Sequence, residues 1–255
     1  MSQLTYDGKV AVITGAGGGL GRQHALLMAA RGALVVVNDL GGTIDGSGAD
    51  ASAAQKVVDE IVAAGGEAVA NHDSVSTAEG GEGIIQTAID AYGRVDIVIN
   101  NAGILRDKTF HNMTNDLVDP VFDVHLKGAF NVTRPAWIRM REQGYGRVIS
   151  TSSAAGIFGN FGQANYSAAK LGVTALSKSI ALDMQKFKVR SNCISPFAWS
   201  RMIGSIPTET PEEQARVARI KQMTPAKIAP MAVALASGSN ALATARAAAA
   251  KIKVI

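Results

Sequence analysis

Short, unbroken apolar runs alternate with longer segments of helical character along most of this 255-residue chain. Apolar runs without polar interruption are typical of strands buried on both faces, as in a parallel sheet. The predicted strands cover residues 9–14, 33–38, 67–71, 96–100, 146–150 and 189–195. The predicted helices cover residues 22–31, 52–64, 82–92, 117–141, 165–185 and 228–236. This alternation predicts an α/β fold, a Rossmann-type doubly wound parallel sheet.

The last quarter of the chain is less regular than the rest. No repeat or linker divides the sequence, so we expect a single domain over residues 1–255. Residues 207–223 are charged, amphipathic and punctuated by proline, which indicates a lid or an excursion from the sheet. From residue 237 the chain becomes rich in alanine, and residues 251–255 (KIKVI) are predicted to form a short strand. Segment 237–255 is therefore an atypical C-terminal segment.

Composition excludes several classes of protein. Apolar residues make up 47% of the chain and charged residues 18%, which favours a large core over disorder. The net charge is +4, and the lysines and arginines are spread out without a polybasic run. We therefore expect no nucleic-acid partner, although a small anionic ligand would fit. No apolar run approaches the roughly 18 residues of a membrane span, and the N-terminus lacks a signal-peptide pattern. The lone Cys193 suits a reducing compartment, so we expect a cytoplasmic protein.

A glycine-rich turn, TGAGGGLG at residues 14–21, lies between the first predicted strand and helix. Glycines allow the backbone to approach a pyrophosphate, although a tight loop explains a glycine run equally well. Asp39 ends the second strand, where a carboxylate can bond a ribose 2′-hydroxyl. Because it would also repel a 2′-phosphate, NAD is favoured over NADP. The alternative is that Asp39 is a turn residue before Gly41.

Ser153, Tyr166 and Lys170 are the strongest candidates for a catalytic site. Tyr166 and Lys170 are four residues apart in a predicted helix and therefore share one face. Ser153 follows a predicted strand, at the carboxyl edge where doubly wound sheets hold their sites. A Tyr-x-x-x-Lys pair alone is usually a solvated helix face. The combination of this pair with the glycine turn and the upstream Ser153 is rare by chance.

The chain resembles the short-chain dehydrogenase/reductase family over about residues 5–235. The likeness rests on TGAGGGLG (14–21), NNAG (100–103), Ser153 with YSAAK (166–170), and SP (195–196). Longer strings, VVVNDLGG (35–42) and NNAGILRDK (100–108), are similar to a narrower group, the (3R)-hydroxyacyl-CoA dehydrogenase domains of multifunctional enzymes, also named among 17β-hydroxysteroid dehydrogenases. The resemblance implies an NAD-dependent oxidoreductase of fatty-acid or lipid metabolism that converts a (3R)-3-hydroxyacyl-CoA to the 3-ketoacyl-CoA.

The resemblance also implies a set of cofactor contacts. Lys170 would hold the nicotinamide ribose, and Asp73 with Ser74 would face the adenine, although a polar turn explains that pair almost equally well. The implied cofactor-binding residues are Gly15, Gly19, Leu20, Gly21, Asp39, Asp73, Ser74, Asn101, Ala102, Gly103, Tyr166, Lys170, Pro196 and Ala198. In the implied oxidation of an alcohol, Lys170 would stabilise a Tyr166 phenolate that takes the hydroxyl proton, and Ser153 would hydrogen-bond the substrate oxygen. Ser153 and Tyr166 are therefore the implied substrate contacts. No metal is expected, because His24, His72 and His111 lack metal-ligand spacing.

His125 departs from the common family pattern. It lies in VHLKG, where most members of the family place a fourth catalytic residue, Asn. The narrower group also carries VHL, so the difference favours that group. We include His125 in the catalytic set and expect a backbone carbonyl at this position to hold a water near Lys170. Action of His125 as a direct general base is the alternative.

The substrate side and the assembly are less defined by the sequence. Arg106, Lys108 and Arg201 either meet the phosphates or pantetheine amides of coenzyme A or are solvated charges. The candidates for an acyl channel, or for packing alone, are Met202, Ile203 and Ile206. A steroid or acyl-carrier-protein ketoreductase and a catalytically inactive dinucleotide-binding protein are the alternative functions. The resemblance implies a homodimer or homotetramer.

Overall fold

A computed structural model describes residues 4–198 and 210–237, and the fold is given for these ranges. Six parallel strands form one sheet in the order β3-β2-β1-β4-β5-β6. The strands are β1 Val10–Thr14, β2 Leu34–Asn38, β3 Glu67–Asn71, β4 Ile97–Asn100, β5 Gly146–Thr151 and β6 Val189–Ile194. The predicted Rossmann-type doubly wound parallel sheet is confirmed. The assignment of residues 1–255 to a single domain stays a prediction.

The central strands are buried on both faces, as their unbroken apolar runs predict. Every residue of β1, β4 and β5 is buried. Val12 is in register with Val36 on one side and Val98 on the other. Strand order reverses between β1 and β4, so a crevice opens at the carboxyl edge beyond Thr14 and Asn100.

Helices cover both faces of the sheet. Apolar residues of α1, α2 and α9 pack on one face, and those of α3 and α5 pack on the other. The helices are α1 Gly19–Ala29, α2 Ser52–Ala63, α3 Ala78–Tyr92, α4 Asn115–Phe122, α5 Gly128–Gln143, α6 Ala154–Phe158, α7 Ala164–Met184, α8 Pro211–Lys221 and α9 Pro225–Ala236. None of these helices combines the length and apolar character that crossing a bilayer requires.

The segment predicted as one long helix over residues 117–141 is helical throughout, but a π-turn that was not predicted interrupts its α-helical bonding. The structure has α4, then a π-helical turn over Asp123–Lys127, then α5. Pro120 has no N–H to donate to the carbonyl of Asp116, which instead accepts a hydrogen bond from Arg106 at 2.7 Å. π-turns inside helices occur often at functional sites. Regular bonding resumes after Pro120, since the Asp123 N–H bonds the Asp119 carbonyl, and the π-turn itself is closed by the Gly128 N–H on the Asp123 carbonyl, five residues back.

Three helices begin three or four residues earlier than predicted, and one of them is α9, which starts at Pro225 rather than residue 228. α1 starts at Gly19 rather than residue 22, so the glycine turn itself forms the first helical turn. α3 starts at Ala78 rather than residue 82, because the Thr77 hydroxyl accepts a hydrogen bond from the Gly80 N–H at 3.0 Å and caps the helix.

The predicted lid contains a well-capped helix, α8. Thr210 and Glu213 form a reciprocal capping box at its start, with bonds of 3.2 and 3.0 Å. Residues 207–209 of the predicted lid lie outside the described residues. The same holds for the alanine-rich stretch from residue 238 and for the predicted strand at residues 251–255.

Truncation of Val98 tests the placement of β4 at the centre of the sheet. Val98 is fully buried, so Val98→Ala should lower the free energy of unfolding by about 2 kcal/mol in urea titration. The matched control is Val62→Ala on α2, where Val62 is 56% exposed and alanine favours the helix. Equal stability of the two variants would contradict the placement.

Candidate active site

The glycine turn leads from β1 into α1, and two of its positions require glycine. Gly15 has a φ of +62°, and a Cβ there would lie 2.7 Å from the Cα of Ala102. A Cβ on Gly21 would lie 2.2 Å from the carbonyl oxygen of Gly15. At Gly19 a Cβ would meet nothing within 4 Å, so the turn is open on that side. The turn is thus closed toward the protein and open outward.

The start of α1 is suited to an anion. Its N-cap, Gly18, provides no side-chain cap, and the first turn of the helix contains no acidic residue. Backbone N–H groups at a helix start need partners and carry partial positive charge. The predicted contacts Gly19, Leu20 and Gly21 form this first turn. These residues fit the pyrophosphate of a dinucleotide.

Asp39 contacts the glycine turn from the end of β2. One carboxylate oxygen accepts the Gly17 N–H at 2.7 Å, and the other accepts the Gly41 N–H at 2.7 Å. A Cβ on Gly17 would lie 2.9 Å from the Asp39 carboxylate, so glycine permits this approach. Asp39 therefore has the turn-stabilising role that was the alternative interpretation. It also places a negative charge beside the phosphate-binding turn.

Asn101 and Ala102 hold the end of β4 against the glycine turn. The Thr14 hydroxyl oxygen accepts hydrogen bonds from the N–H groups of Asn101 and Ala102, at 3.0 and 3.1 Å. The Asn101 side-chain amide donates to the carbonyls of Thr14 and Gly15, both at 3.0 Å. These bonds fix the two strands that border the crevice.

Asp73 and Ser74 follow β3 and bond mainly within their own turn. The Asp73 carboxylate accepts from the Asn71 amide at 2.8 Å, and its carbonyl accepts from Asn38 at 2.9 Å. The Ser74 and Ser76 hydroxyl oxygens are 2.7 Å apart. These bonds favour the polar-turn interpretation, and contact with an adenine stays a prediction.

Ser153, Tyr166 and Lys170 meet where β5 ends and α7 begins. The Lys170 Nζ lies 5.6 Å from the centroid of the Tyr166 ring. Ser153 follows β5, and its hydroxyl oxygen accepts the Ala155 N–H at 3.2 Å, which caps α6. Burial raises the pKa of the Tyr166 phenol, and the nearby Ser153 side chain lowers it.

Burial has opposite effects on the two titratable members of this group. It is the largest influence on Tyr166 and raises the pKa of the phenol above its ordinary value. It lowers the pKa of Lys170 to about 8. Lys170 is only 4% exposed, and its Nζ donates to the Thr151 carbonyl at 2.6 Å. The lysine thus titrates close to the working range of an enzyme and lies beside the phenol.

Two hydroxyl residues that the sequence analysis missed hold the backbone of Lys170. The Ser152 hydroxyl donates to the Lys170 carbonyl at 2.9 Å, and the Thr174 hydroxyl donates to the same carbonyl at 3.1 Å. The two hydroxyl oxygens are 2.7 Å apart. A signal was present, because Ser152 lies directly after a buried strand and a buried hydroxyl needs a partner.

His125 is buried in the π-turn beside Tyr166. Its Nε2 is 3.1 Å from the backbone nitrogen and 2.8 Å from the carbonyl oxygen of Ile104. Burial, and then the charge of Lys170, hold the pKa of His125 well below its ordinary value, so the ring is neutral at pH 7. Its ring meets the Tyr166 ring edge-on at 5.2 Å. A Cβ on Gly103 would lie 2.3 Å from the His125 ring, so this packing requires glycine at 103.

A small cavity of about 10 Å³ lies between the sheet, the π-turn and α7. Asn100, His125, Thr151 and Lys170 are among the residues that line it. Three of their buried polar atoms have no hydrogen-bond partner among the described residues: Asn100 Oδ1, His125 Nδ1 and Thr151 Oγ1. Buried polar groups need partners, and the volume is close to that of one water. The cavity therefore fits a single water beside Lys170.

The predicted CoA-binding cations have different surroundings. Arg106 donates to the carbonyls of Asp45 and Asp116 at 2.8 and 2.7 Å, so its guanidinium joins two segments of backbone. Lys108 is exposed. Pro196 and Ala198 follow β6, and their cofactor contacts stay predictions. The remaining candidates lie outside the described residues: Arg201, Met202, Ile203 and Ile206.

Exposed aromatic rings lie on two segments, one in the loop after β4 and one just before α7. Phe110, Phe158 and Phe161 are 81%, 85% and 88% exposed. The two segments are joined by a hydrogen bond from the Lys108 N–H to the Gly162 carbonyl at 2.8 Å. The sequence analysis missed these rings, although the string IFGNF at residues 157–161 is unusually apolar for a loop. We call Phe110, Phe158 and Phe161 the aromatic rim.

The strand order, the glycine turn and the Ser-Tyr-Lys group point to one family. Residues 9–203 match the description short chain dehydrogenase. The chain belongs to the short-chain dehydrogenase family. It is therefore an oxidoreductase, as the sequence analysis predicted.

Similarity to individual proteins is high. The chain is 54% identical over 208 residues to peroxisomal multifunctional enzyme type 2 of Mus musculus. The aligned residues make up 82% of this chain and 28% of the mouse protein. It is 39% identical to the hydroxyacyl-CoA dehydrogenase ChsB1 of Mycobacterium tuberculosis, covering 92% of this chain and 74% of that protein. This chain thus spans about a quarter of the length of the mouse relative.

A solved structure of a short-chain dehydrogenase has the same fold over nearly the whole chain. It is a 7α-hydroxysteroid dehydrogenase in complex with NADH and 7-oxo glycochenodeoxycholic acid. The TM-score is 0.83 at 30% identity, and the match covers 95% of this chain and 93% of that one. The family normally binds a nicotinamide dinucleotide, which the uncapped start of α1 and the open glycine turn fit.

Proposed function

We propose that this short-chain dehydrogenase oxidises a (3R)-3-hydroxyacyl-CoA to the 3-ketoacyl-CoA, with NAD as cofactor and Tyr166 as general base. The observation that carries the proposal is the grouping of the Tyr166 phenol with the Ser153 side chain and the buried Lys170 ammonium at the carboxyl edge of the sheet. Bound NAD supplies the acceptor for the hydride that leaves the substrate carbon.

Tyr166 takes the proton from the substrate hydroxyl. A phenol in water ionises near pH 10, and burial raises the pKa of Tyr166 further. Two interactions lower the pKa of the phenol when substrate is oxidised. One is with the Ser153 hydroxyl, and the other is with the positive charge of Lys170. Ser153 also donates to the substrate oxygen, where negative charge develops as the proton leaves.

Lys170 returns the proton toward solvent. Because burial lowers the pKa of its ammonium to about 8, it can release a proton near neutral pH at little cost. The cavity beside it fits one water, and the polar atoms of Asn100, His125 and Thr151 are available to bond that water. His125 is neutral and bonded to Ile104, so we propose that it orients this water rather than acting as a direct base.

Asp39 supports NAD rather than NADP. Its carboxylate is fixed beside the phosphate-binding turn by two N–H groups. The remaining lone pairs of its oxygens suit a ribose 2′-hydroxyl, whereas its negative charge opposes a 2′-phosphate.

The relatives and the aromatic rim support the proposed substrate class. One relative is named a hydroxyacyl-CoA dehydrogenase, and the 54%-identical mouse protein is a peroxisomal multifunctional enzyme. The apolar rings of the aromatic rim suit a long acyl chain. A 7α-hydroxysteroid dehydrogenase of the same fold supports a steroid as the second candidate, since a fused ring system would meet the same apolar surface.

We also propose a homo-oligomer, formed through the outer faces of α5 and α7. These helices pack side by side through Ala129, Val173 and Leu176. Large apolar residues remain exposed on them: Phe130, Ile138, Leu171 and Leu182. Contiguous exposed apolar area is typical of self-association. The cytoplasmic location stays a prediction.

Replacement of the phenol tests the role of Tyr166. Tyr166→Phe should lower the rate of NADH formation by about 10²- to 10⁴-fold, because the general base is removed. NAD affinity, measured by calorimetry, should stay nearly unchanged. Tyr92→Phe at the end of α3 is the matched control and should leave the rate intact. A Tyr166→Phe enzyme with wild-type turnover would exclude Tyr166 as the base.

Asp39→Asn tests the choice of cofactor. Loss of the negative charge should lower the ratio of kcat/KM for NAD to that for NADP by about tenfold, or roughly 1.4 kcal/mol. Asp59→Asn is the control, because Asp59 accepts a hydrogen bond from Gln55 on the exposed side of α2. An unchanged ratio in Asp39→Asn would mean that another group selects the cofactor.

A substrate panel separates the candidate functions. NADH formation should be at least about tenfold faster, in kcat/KM, with a (3R)-3-hydroxyacyl-CoA than with a 17- or 7α-hydroxysteroid. Faster turnover of a steroid would favour the second candidate. Absence of NADH formation with every alcohol, despite intact NAD binding, would indicate a dinucleotide-binding protein without activity.

A further inference from the structure

Three hydrogen bonds fasten the loop after β4 to the segment that carries Tyr166. The Asn165 amide donates to the Arg106 carbonyl at 2.9 Å, and the Lys108 N–H donates to the Gly162 carbonyl at 2.8 Å. Between them, the Gln163 amide donates to the Asp107 carboxylate at 2.7 Å. The loop therefore has little freedom relative to Tyr166, and the position of the Asp107 carboxylate is fixed.

The Asp107 carboxylate lies about one helical turn from Tyr166, because it is bonded to Gln163, the N-cap of α7, and Tyr166 is the third residue of that helix. After burial and the Ser153 side chain, the charge of Asp107 is the next influence on the phenol, and it raises the pKa of Tyr166. The other elements packed around the phenol present different groups. α7 contributes Lys170, the segment after β5 contributes the Ser153 hydroxyl, and the π-turn contributes the neutral ring of His125. The side chains that α4 packs against Tyr166 are apolar: Val121 and Phe122.

We propose that Asp107 is a positioning residue whose carboxylate, held by Gln163, opposes negative charge on Tyr166 and so sets the pH range in which the enzyme oxidises alcohols. The proposal rests on the proposed role of Tyr166 as general base. Like charges close together disfavour ionisation, and the effect is larger where part of the surrounding water is displaced. A carboxylate here therefore retains the proton on the phenol.

The position of Asp107 affects the two reaction directions differently. Oxidation needs the phenolate as proton acceptor, so Asp107 slows oxidation at low pH. Reduction of a 3-keto group needs the phenol as proton donor, so Asp107 extends reduction to higher pH. Partial burial raises the pKa of the Asp107 carboxyl, whereas the bond from Gln163 lowers it. Gln163 thus helps to keep the carboxylate charged.

Asp107→Asn tests this proposal with little change in shape, because the asparagine carbonyl can still accept the hydrogen bond from Gln163. The acid limb of the pH profile of kcat for alcohol oxidation should move to lower pH. Below that limb the rate should rise about two- to fivefold over the wild-type chain. KM for NAD should not change, since Asp107 is bonded to Gln163 before α7 rather than to the glycine turn.

Two further variants separate charge from structure. Asp90→Asn is the matched control, because Asp90 accepts a hydrogen bond from Gln86 at the same 2.7 Å on the exposed side of α3, away from the site. Asp107→Ala removes both the charge and the bond. The proposal predicts that both Asp107 variants shift the acid limb and that Asp90→Asn does not. A shift in neither Asp107 variant would overturn it, even if Asp107→Ala lowered kcat.

A readout without substrate distinguishes this proposal from the proposed function. Ultraviolet titration of tyrosinate, taken as the difference between a chain with Tyr166 and the same chain with Tyr166→Phe, reports ionisation of this phenol alone. Asp107→Asn should move that titration to lower pH. An unmoved titration would overturn the role of Asp107. A moved titration in an enzyme that oxidises no alcohol would uphold the effect of Asp107 on the phenol and contradict the proposed function.

Discussion

Burial of the Lys170 ammonium is the constraint on which the rest of the site depends. The group lies almost out of contact with solvent, with the Thr151 carbonyl as its acceptor. Its pKa is about 8 in the folded chain against an ordinary 10.5, which corresponds to a cost of about 3 kcal/mol. Because the folded pKa is the lower one, this cost is fully present below pH 8 and disappears as the pH rises to 10.5. Keeping a buried cation beside the phenol therefore lowers the stability of the folded chain.

Several features of the fold follow from that buried cation. Ser152 and Thr174 hold the Lys170 carbonyl and so fix the turn of α7 that carries the side chain. The π-turn brings His125 against Tyr166, and this packing leaves space only for glycine at position 103. The glycine turn and Asp39 are set by β1 and β2, on the other side of the crevice. The cofactor side and the catalytic side are thus built by different strands that meet at one edge.

Much of this arrangement could be predicted from local sequence, and the rest depends on distant contacts. The strands were predictable because their apolar runs are unbroken, and the positions of Ser153, Tyr166 and Lys170 followed from strand ends and helical spacing. The family resemblance predicted from these motifs is confirmed. The π-turn was missed because the periodicity from residue 117 to 141 is helical throughout. The bond that makes this turn, from the Gly128 N–H to the Asp123 carbonyl, has no signal in the local pattern, and the bond from Arg106 to the Asp116 carbonyl comes from a separate loop. The bonds of Ser152 and Asp107 likewise join segments that no local pattern connects.

Nitrogen-15 NMR of the Lys170 side chain, in protein labelled at lysine and compared with a Lys170→Arg chain to assign the signal, tests the central claim most directly. We predict that the ammonium titrates near pH 8, well below the other lysines. Titration near its ordinary pKa of 10.5 would contradict the account, because the lysine would then be solvated and unable to release a proton near neutral pH.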